Sequence, residues 1–208
     1  MINLIFIAIL YLVIFLAAEL LYYKKVDSFY TRKIVHIGGG LITVLLPWLI
    51  SFATAIIIGI IFAIILIITK RKKLLGSIHN NDQNSIGAVL YPISLVLCAL
   101  LFWRTNVLIF QGAVLILALG DGFAALVGKK LNFVPFVING RKTLSGTIVF
   151  LIIAIMILWI IVQPTHFDIL AQVLISAIVI TSSEACFSGG WDNLSIVLTS
   201  GFLLKWLL

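Results

Sequence analysis

Residues 117–130 read Leu-Ala-Leu-Gly-Asp-Gly-Phe-Ala-Ala-Leu-Val-Gly-Lys-Lys, so one carboxylate, Asp121, stands inside a run, 106–127, that is otherwise almost wholly apolar. A run of that length crosses the hydrocarbon core of a bilayer, which needs about 20 residues at 1.5 Å each. An aspartate there costs about 3 kcal/mol on insertion scales and is a functional site by default. The first expectation for Asp121 is therefore a metal ion that carries a nucleotide's phosphates.

The rest of the chain agrees with a membrane setting. Of 208 residues, 63% are hydrophobic and 10% charged, and a mean hydropathy of +1.28 excludes a soluble domain with one buried core. Apolar runs at 3–22, 34–49, 51–69, 85–103, 106–127, 146–162, 168–187 and 193–208 predict an all-α, polytopic integral membrane helical bundle of about seven to eight transmembrane helices. No basic region precedes the first run and no small-residue cleavage site comes after it, so it reads as a retained helix. Loops are short and there is no linker, low-complexity segment or repeat, which makes 1–208 a single membrane-embedded domain.

The net charge of +7 raises nucleic acid as a partner, and the placement of the charges argues against it. If the spans alternate, twelve of the fourteen basic residues fall on one side, and only Arg104 and Lys205 lie near the other. The positive-inside rule makes that side cytoplasmic and the N-terminus outside. Topology alone accounts for the run at 70–73. Carboxylates share the same asymmetry: Glu19, Asp27, Asp82, Asp121, Glu184 and Asp192 lie in or toward the cytoplasmic half, with Asp168 outside. Cys98 and Cys186 fall in different leaflets and read as packing residues.

Five polar constellations lie toward that face. At 32–40, Arg-Lys-Ile-Val-His-Ile-Gly-Gly-Gly places Arg32 and His36 one helical turn apart with Lys33 adjacent, so that two cations and an imidazole can converge on an anion. At 79–87 a dense polar loop containing Asp82, Asn84 and Ser85 runs into Tyr91-Pro92; Asp82 or Ser85 is expected to cap the next helix, leaving amides for a ligand. Around Asp121, residues 121, 125 and 128 form a small-residue stripe along which a helix or ligand can approach. At 139–146, Asn-Gly-Arg-Lys-Thr-Leu-Ser-Gly leads into a helix, and two cations with hydroxyls at a helix N-terminus form a phosphate cradle, although the Walker A spacing is absent. At 182–193, Glu184 and Ser188 are expected one turn apart. Asp192-Asn193 after a double glycine can gather oxygens for magnesium, or Asp192 can cap the last helix.

These blocks, in this order, resemble the polyprenol kinase family of membrane proteins, which includes phytol kinases, dolichol kinases and CTP-dependent diacylglycerol kinases. The residues that carry the resemblance are Arg32, Lys33 and His36; Ser85 to Tyr91-Pro92; Gly120-Asp121 with Ala125 and Gly128; Gly140 to Thr143 with Gly146; and Glu184 with Asp192-Asn193. It covers nearly the whole chain from about residue 30 and is met best in phytol-kinase-like members, with Ser145 standing where an acidic residue is usual. It implies transfer of the γ-phosphate of CTP, with ATP as the other candidate, to the hydroxyl of a prenyl alcohol such as phytol, geranylgeraniol or a polyprenol, at the cytoplasmic face. Phosphoryl transfer requires cations around the phosphates, a magnesium ion and a group that positions the hydroxyl. The expected roles are catalytic for Asp121, Glu184 and His36; phosphate-binding for Arg32, Lys33, Gly128, Arg141, Lys142, Thr143 and Ser145; metal-holding for Asp121, Asp192 and Asn193; and contact with the lipid or loop for Asp82, Asn84 and Tyr91. The alternatives are a diacylglycerol kinase, CMP transfer as in phosphatidate cytidylyltransferases, whose signature is absent here, and a small anion transporter. A transporter would place its polar groups near the midplane rather than at one face. The partners implied are the membrane lipid and the nucleotide, not nucleic acid, with a homo-oligomer left open.

Overall fold

The computed structural model describes residues 2–79, 86–131 and 142–208, and within these the chain is a helical membrane bundle. In chain order the helices are α1 (Ile2–Tyr23), α2 (Ser28–Leu49), α3 (Phe52–Arg71), the single turn α4 (Gly76–His79), α5 (Gly87–Trp103), α6 (Val107–Leu131), α7 (Leu144–Val162), α8 (Phe167–Cys186) and α9 (Trp191–Leu207). Five of them, α1, α3, α6, α7 and α8, are long and apolar enough to cross a membrane, and α5 is a shorter apolar helix. Asp82, Asn84 and Arg141, named from the sequence, lie outside the described residues.

The helices pack mostly in sequence order, α1 on α2, α3 on α5, α6 on α7 and α8 on α9, while α9 also closes against α5 and α6. The hub is α6: 72% of its apolar window is buried inside the bundle, against 11% for α1, whose outer face is left to lipid. Val114, Ile116 and Leu117 of α6 are fully buried with Phe150, Leu158 and Ile196. Small residues bring the hub's neighbours close. A Cβ on Gly146 would lie 2.8 Å from the Ala124 carbonyl oxygen, so α7 approaches the α6 backbone this closely only because residue 146 is glycine.

Three local features differ from the sequence reading. The second helix starts at Ser28, not at Ile34: Asp27 accepts the Phe29 N–H at 2.9 Å as its N-cap, and Arg32, Lys33 and His36 lie inside the helix rather than at its mouth. Helix α5 begins at Gly87, after Ile86, whose side chain makes no cap; Asp82 and Ser85, expected to cap this helix, lie outside the described residues. The N-cap of α9 is Gly190, at φ +108°, and Asp192 falls within its first turn; α8 stops at Cys186, so Ser188 lies beyond the helix that carries Glu184. Cys98 is buried, in keeping with the packing role expected of it, whereas Cys186 is exposed.

Helix α6 departs from α-geometry over Ile116–Asp121, where the turns widen to π. Such a bulge adds a residue to the turn and rotates the side chains beyond it, which is why π-turns recur at functional sites. Asp121 is the last residue of this stretch.

Candidate active site

Asp121 is 7% exposed, and its charge is held by α2. Lys33 Nζ, also buried, lies 2.6 Å from Asp121 Oδ2 and 3.3 Å from the Asp121 carbonyl oxygen. His36 Nε2 lies 3.3 Å from the same Oδ2 and 3.2 Å from the Leu117 carbonyl oxygen; both neighbours accept, so the ring carries its proton on Nε2. On its other side His36 stacks against Tyr91 at 4.1 Å between ring centroids, and the Tyr91 hydroxyl donates to the His36 carbonyl oxygen at 2.7 Å. The imidazole is thus fixed between α5 and α6. Glycines make this possible: a Cβ at Gly40 would meet Ala118 and the Tyr91 hydroxyl, and one at Gly122 would meet Ile37.

A second ionic cluster is built by α7, α8 and α9. The Lys142 ammonium donates to Glu184 Oε1 and, at 3.1 Å, to Asp192 Oδ2. Burial alone would push the Lys142 amine down, but Asp192, Glu184 and Asp121 outweigh it and hold it above the usual lysine range. Lys142 is a fixed cation. Glu184 is 3% exposed, and its second oxygen, Oε2, is buried with no hydrogen-bond partner among the described residues. Next to it, Thr143 caps α7 by accepting the Gly146 N–H at 3.2 Å. Asn193 ties α9 to α5 through its side-chain N–H, which donates to the Gly87 carbonyl oxygen at 3.0 Å.

The two clusters face one cavity of about 750 Å³, within the range of roughly 300–1,000 Å³ that encloses a small ligand. Arg32, Lys33, His36, Tyr91, Asp121, Gly128, Lys142, Thr143, Glu184, Asp192 and Asn193 all line it. Arg32 makes no ion pair among the described residues. Ser145 is not on the cavity wall and bonds to Thr143 at 3.3 Å. Among the described residues no three His, Cys, Asp or Glu side chains form a group able to hold a metal by themselves. Of the expected metal-holding residues, all of which line the cavity, Asp121 pairs with Lys33 and His36, Asp192 pairs with Lys142, and the Asn193 amide nitrogen bonds to Gly87.

The sequence reading missed what lies deeper. Tyr11 of α1 reaches Thr43 at 2.9 Å and the Gly39 carbonyl oxygen at 3.3 Å, and both side chains line the cavity below His36. A tyrosine amid the apolar run 4–18 of the first helix was the available signal. At the mouth, Lys129 pairs with Asp27 at 2.5 Å and lies over the Phe29 ring at 4.2 Å.

No protein-family model matches the chain, and no solved structure matches it. Among curated proteins it is 31% identical over 183 residues to a phytol kinase of Synechocystis sp., an alignment that covers 85% of this chain and 78% of that protein. It is also 33% identical over 135 residues to the Glycine max protein named Probable phytol kinase 3, chloroplastic, covering 59% of this chain and 42% of that one. The first alignment spans most of both chains at an identity that shows common descent, and the blocks around Arg32, Asp121, Lys142 and Glu184 meet at one cavity; this chain belongs to the polyprenol kinase family, the family of the phytol kinases.

Proposed function

We propose that this protein is a membrane lipid kinase that transfers the γ-phosphate of a nucleoside triphosphate, CTP or another, to the hydroxyl of a prenyl alcohol of the phytol type, at the cytoplasmic face. One observation carries the reading: a single cavity joins an ionic end, with Arg32, Lys33, Lys142 and three carboxylates, to an apolar arm between helices. Only a ligand with a charged reacting partner and a lipid tail uses both ends. The names of the aligned relatives supply the substrate class, and the basic residues gathered at one end supply the membrane side.

In this reading Arg32, Lys142 and the backbone N–H groups at the start of α7, beside Thr143, hold the phosphates. The donor set suits magnesium, because Glu184 and Asp192 already converge on one cation, Glu184 has an oxygen to spare, and magnesium takes only one or two carboxylates when phosphates complete its shell. Glu184 and Asp192 would hold that ion, which when bound would neutralise charge on the transferring phosphate. Asn193 keeps the start of α9 in place.

Asp121, at the junction of the ionic end and the apolar arm, receives the alcohol. The hydroxyl oxygen bonds to the γ-phosphorus as the bond from phosphorus to the β,γ-bridging oxygen breaks; the proton passes to Asp121, and the nucleoside diphosphate leaves. Lys33 and His36 aim the carboxylate, and Tyr91 aims His36.

The test is an assay of the purified chain in detergent with magnesium, phytol, and CTP or ATP labelled at either the α- or the γ-phosphate. Label from the γ-position alone is expected in the lipid. Label from the α-position in the lipid, with pyrophosphate released, would replace this reading with nucleotidyl transfer.

A further inference from the structure

The cavity does not end beneath Asp121. It continues between α1, α2, α3 and α5, and its wall advances about one turn at a time to Leu46 on α2, back to Ala55 on α3 and to Trp103 on α5; Tyr11 and Phe15 of α1 line it as well, and Phe110 of α6 joins it at the far end. From Asp121 to Phe110 is eleven residues, about 17 Å along the helix, and from Lys33 to Leu46 about 20 Å. The far end is aromatic. Trp103 packs on Phe110 with ring centroids 4.9 Å apart and on Phe52 at 5.9 Å, and Arg104 lies 4.4 Å above the Phe52 ring. Trp103 is 9% exposed and Phe110 1%, so this floor is part of the packed core.

We infer that this arm is a ruler for the alcohol's tail, with Trp103 as its stop, so that the protein selects its substrate by length at about four isoprene units. The inference rests on the kinase reading above for the identity of the tail's owner. An extended chain advances about 1.2 Å per bond, since a peptide residue of three bonds spans at most 3.3–3.6 Å. A 17–20 Å arm therefore takes about fourteen to seventeen main-chain bonds, which is roughly four isoprene units of four main-chain bonds each. A longer polyprenol has no further room below Trp103 and must leave the bundle sideways, giving up the enclosure that favours binding. Shorter alcohols leave part of the arm unfilled and lose affinity with every unit removed.

Two positions set the ruler in opposite directions. Ala99 lines the arm one turn nearer the ionic end than Trp103 and is 3% exposed. Ala99→Leu raises the floor, and Trp103→Ala lowers it. Neither residue touches the ionic clusters. A purely structural role for them would weaken all tail lengths together, whereas a ruler moves the optimum.

The experiment measures binding and phosphorylation separately, for primary isoprenoid alcohols of two, three, four, six and eleven units, on the full chain in detergent. Native mass spectrometry gives retention, and product analysis gives turnover. Wild-type retention is expected to climb to four units and to fall tenfold or more at six; Ala99→Leu moves the maximum to three units and Trp103→Ala to six, with Trp103→Leu serving where Trp103→Ala does not fold. Retention that stays level from four units upward, or a maximum that neither variant moves, overturns the ruler. A length cut-off in binding without phosphate in any alcohol leaves the ruler standing and sinks the kinase reading. Phosphorylation indifferent to length does the reverse.

Discussion

Lys142 holds the buried Glu184 and the half-buried Asp192 at once, and removing its charge strands both. Breaking a buried ion pair by deleting one partner costs about 3–5 kcal/mol, because the remaining charge is left without compensation. Lys142→Met is expected to lower stability by about 3 kcal/mol in the absence of magnesium. If Glu184 and Asp192 form the metal pair, millimolar magnesium returns part of that loss, by standing where the ammonium stood. Thermal unfolding with and without magnesium reads this directly, and no recovery removes these two carboxylates as the metal site. Alkaline pH below about 10 does not mimic the variant. The folded-state amine titrates above its unfolded value, so its contribution is full below the unfolded value and is lost only as pH rises through the higher folded one. At this scale the sequence was informative about chemistry and weak about pairing. Asp121, Lys33, His36, Lys142, Glu184, Asp192 and Tyr91 all line the cavity. That Lys33 belongs to Asp121, and Lys142 to Glu184 and Asp192, depends on contacts across 42 to 88 residues that no local spacing encodes.

At the scale of elements, backbone devices place these side chains. Gly190 starts α9 at φ +108°, and a Cβ there would lie 2.5 Å from the Gly87 backbone nitrogen. Gly190→Ala therefore combines left-handed strain with a backbone collision, and is expected to lower stability by about 2 kcal/mol or more while displacing Asp192 and Asn193 and lowering turnover. Gly189→Ala is the control: φ is +71° there, but a Cβ meets nothing within 4 Å among the described residues, so strain of about 1 kcal/mol is expected, with turnover kept. Equal effects in the two variants, read by melting and initial rates, would show that the approach of α9 to Gly87 does not matter. The helices themselves were legible because runs of about twenty apolar residues have few other solutions in a bilayer. The start of α2 was not, because Arg32 and Lys33 look like residues of a loop until Asp121 neutralises Lys33 within the bundle. The π-turn over Ile116–Asp121 was also illegible, since Leu-Ala-Leu-Gly would serve equally well in an α-helix and the bulge answers to packing around α6.

Across the whole molecule, the organisation is one end ionic and one interior apolar, joined by a cavity from Arg32 to Trp103. The family, the helical bundle and the one-sided gathering of charge could be read from the chain. The arm could not: its walls, Tyr11, Thr43, Ala99 and Phe110, come from four separate helices in which each residue looks like ordinary packing. The central claim is that Asp121 receives the alcohol's proton in that cavity, and Asp121→Asn tests it by keeping the shape and removing the charge. The measurement is the initial rate of phosphate transfer to phytol, taken with nucleotide affinity and melting temperature on the same preparation. A rate lowered a thousandfold or more, about 4 kcal/mol of lost transition-state stabilisation, with nucleotide affinity within about threefold and a cooperative melt, is the predicted result; a rate within about tenfold of wild type in a folded, nucleotide-binding variant would contradict it.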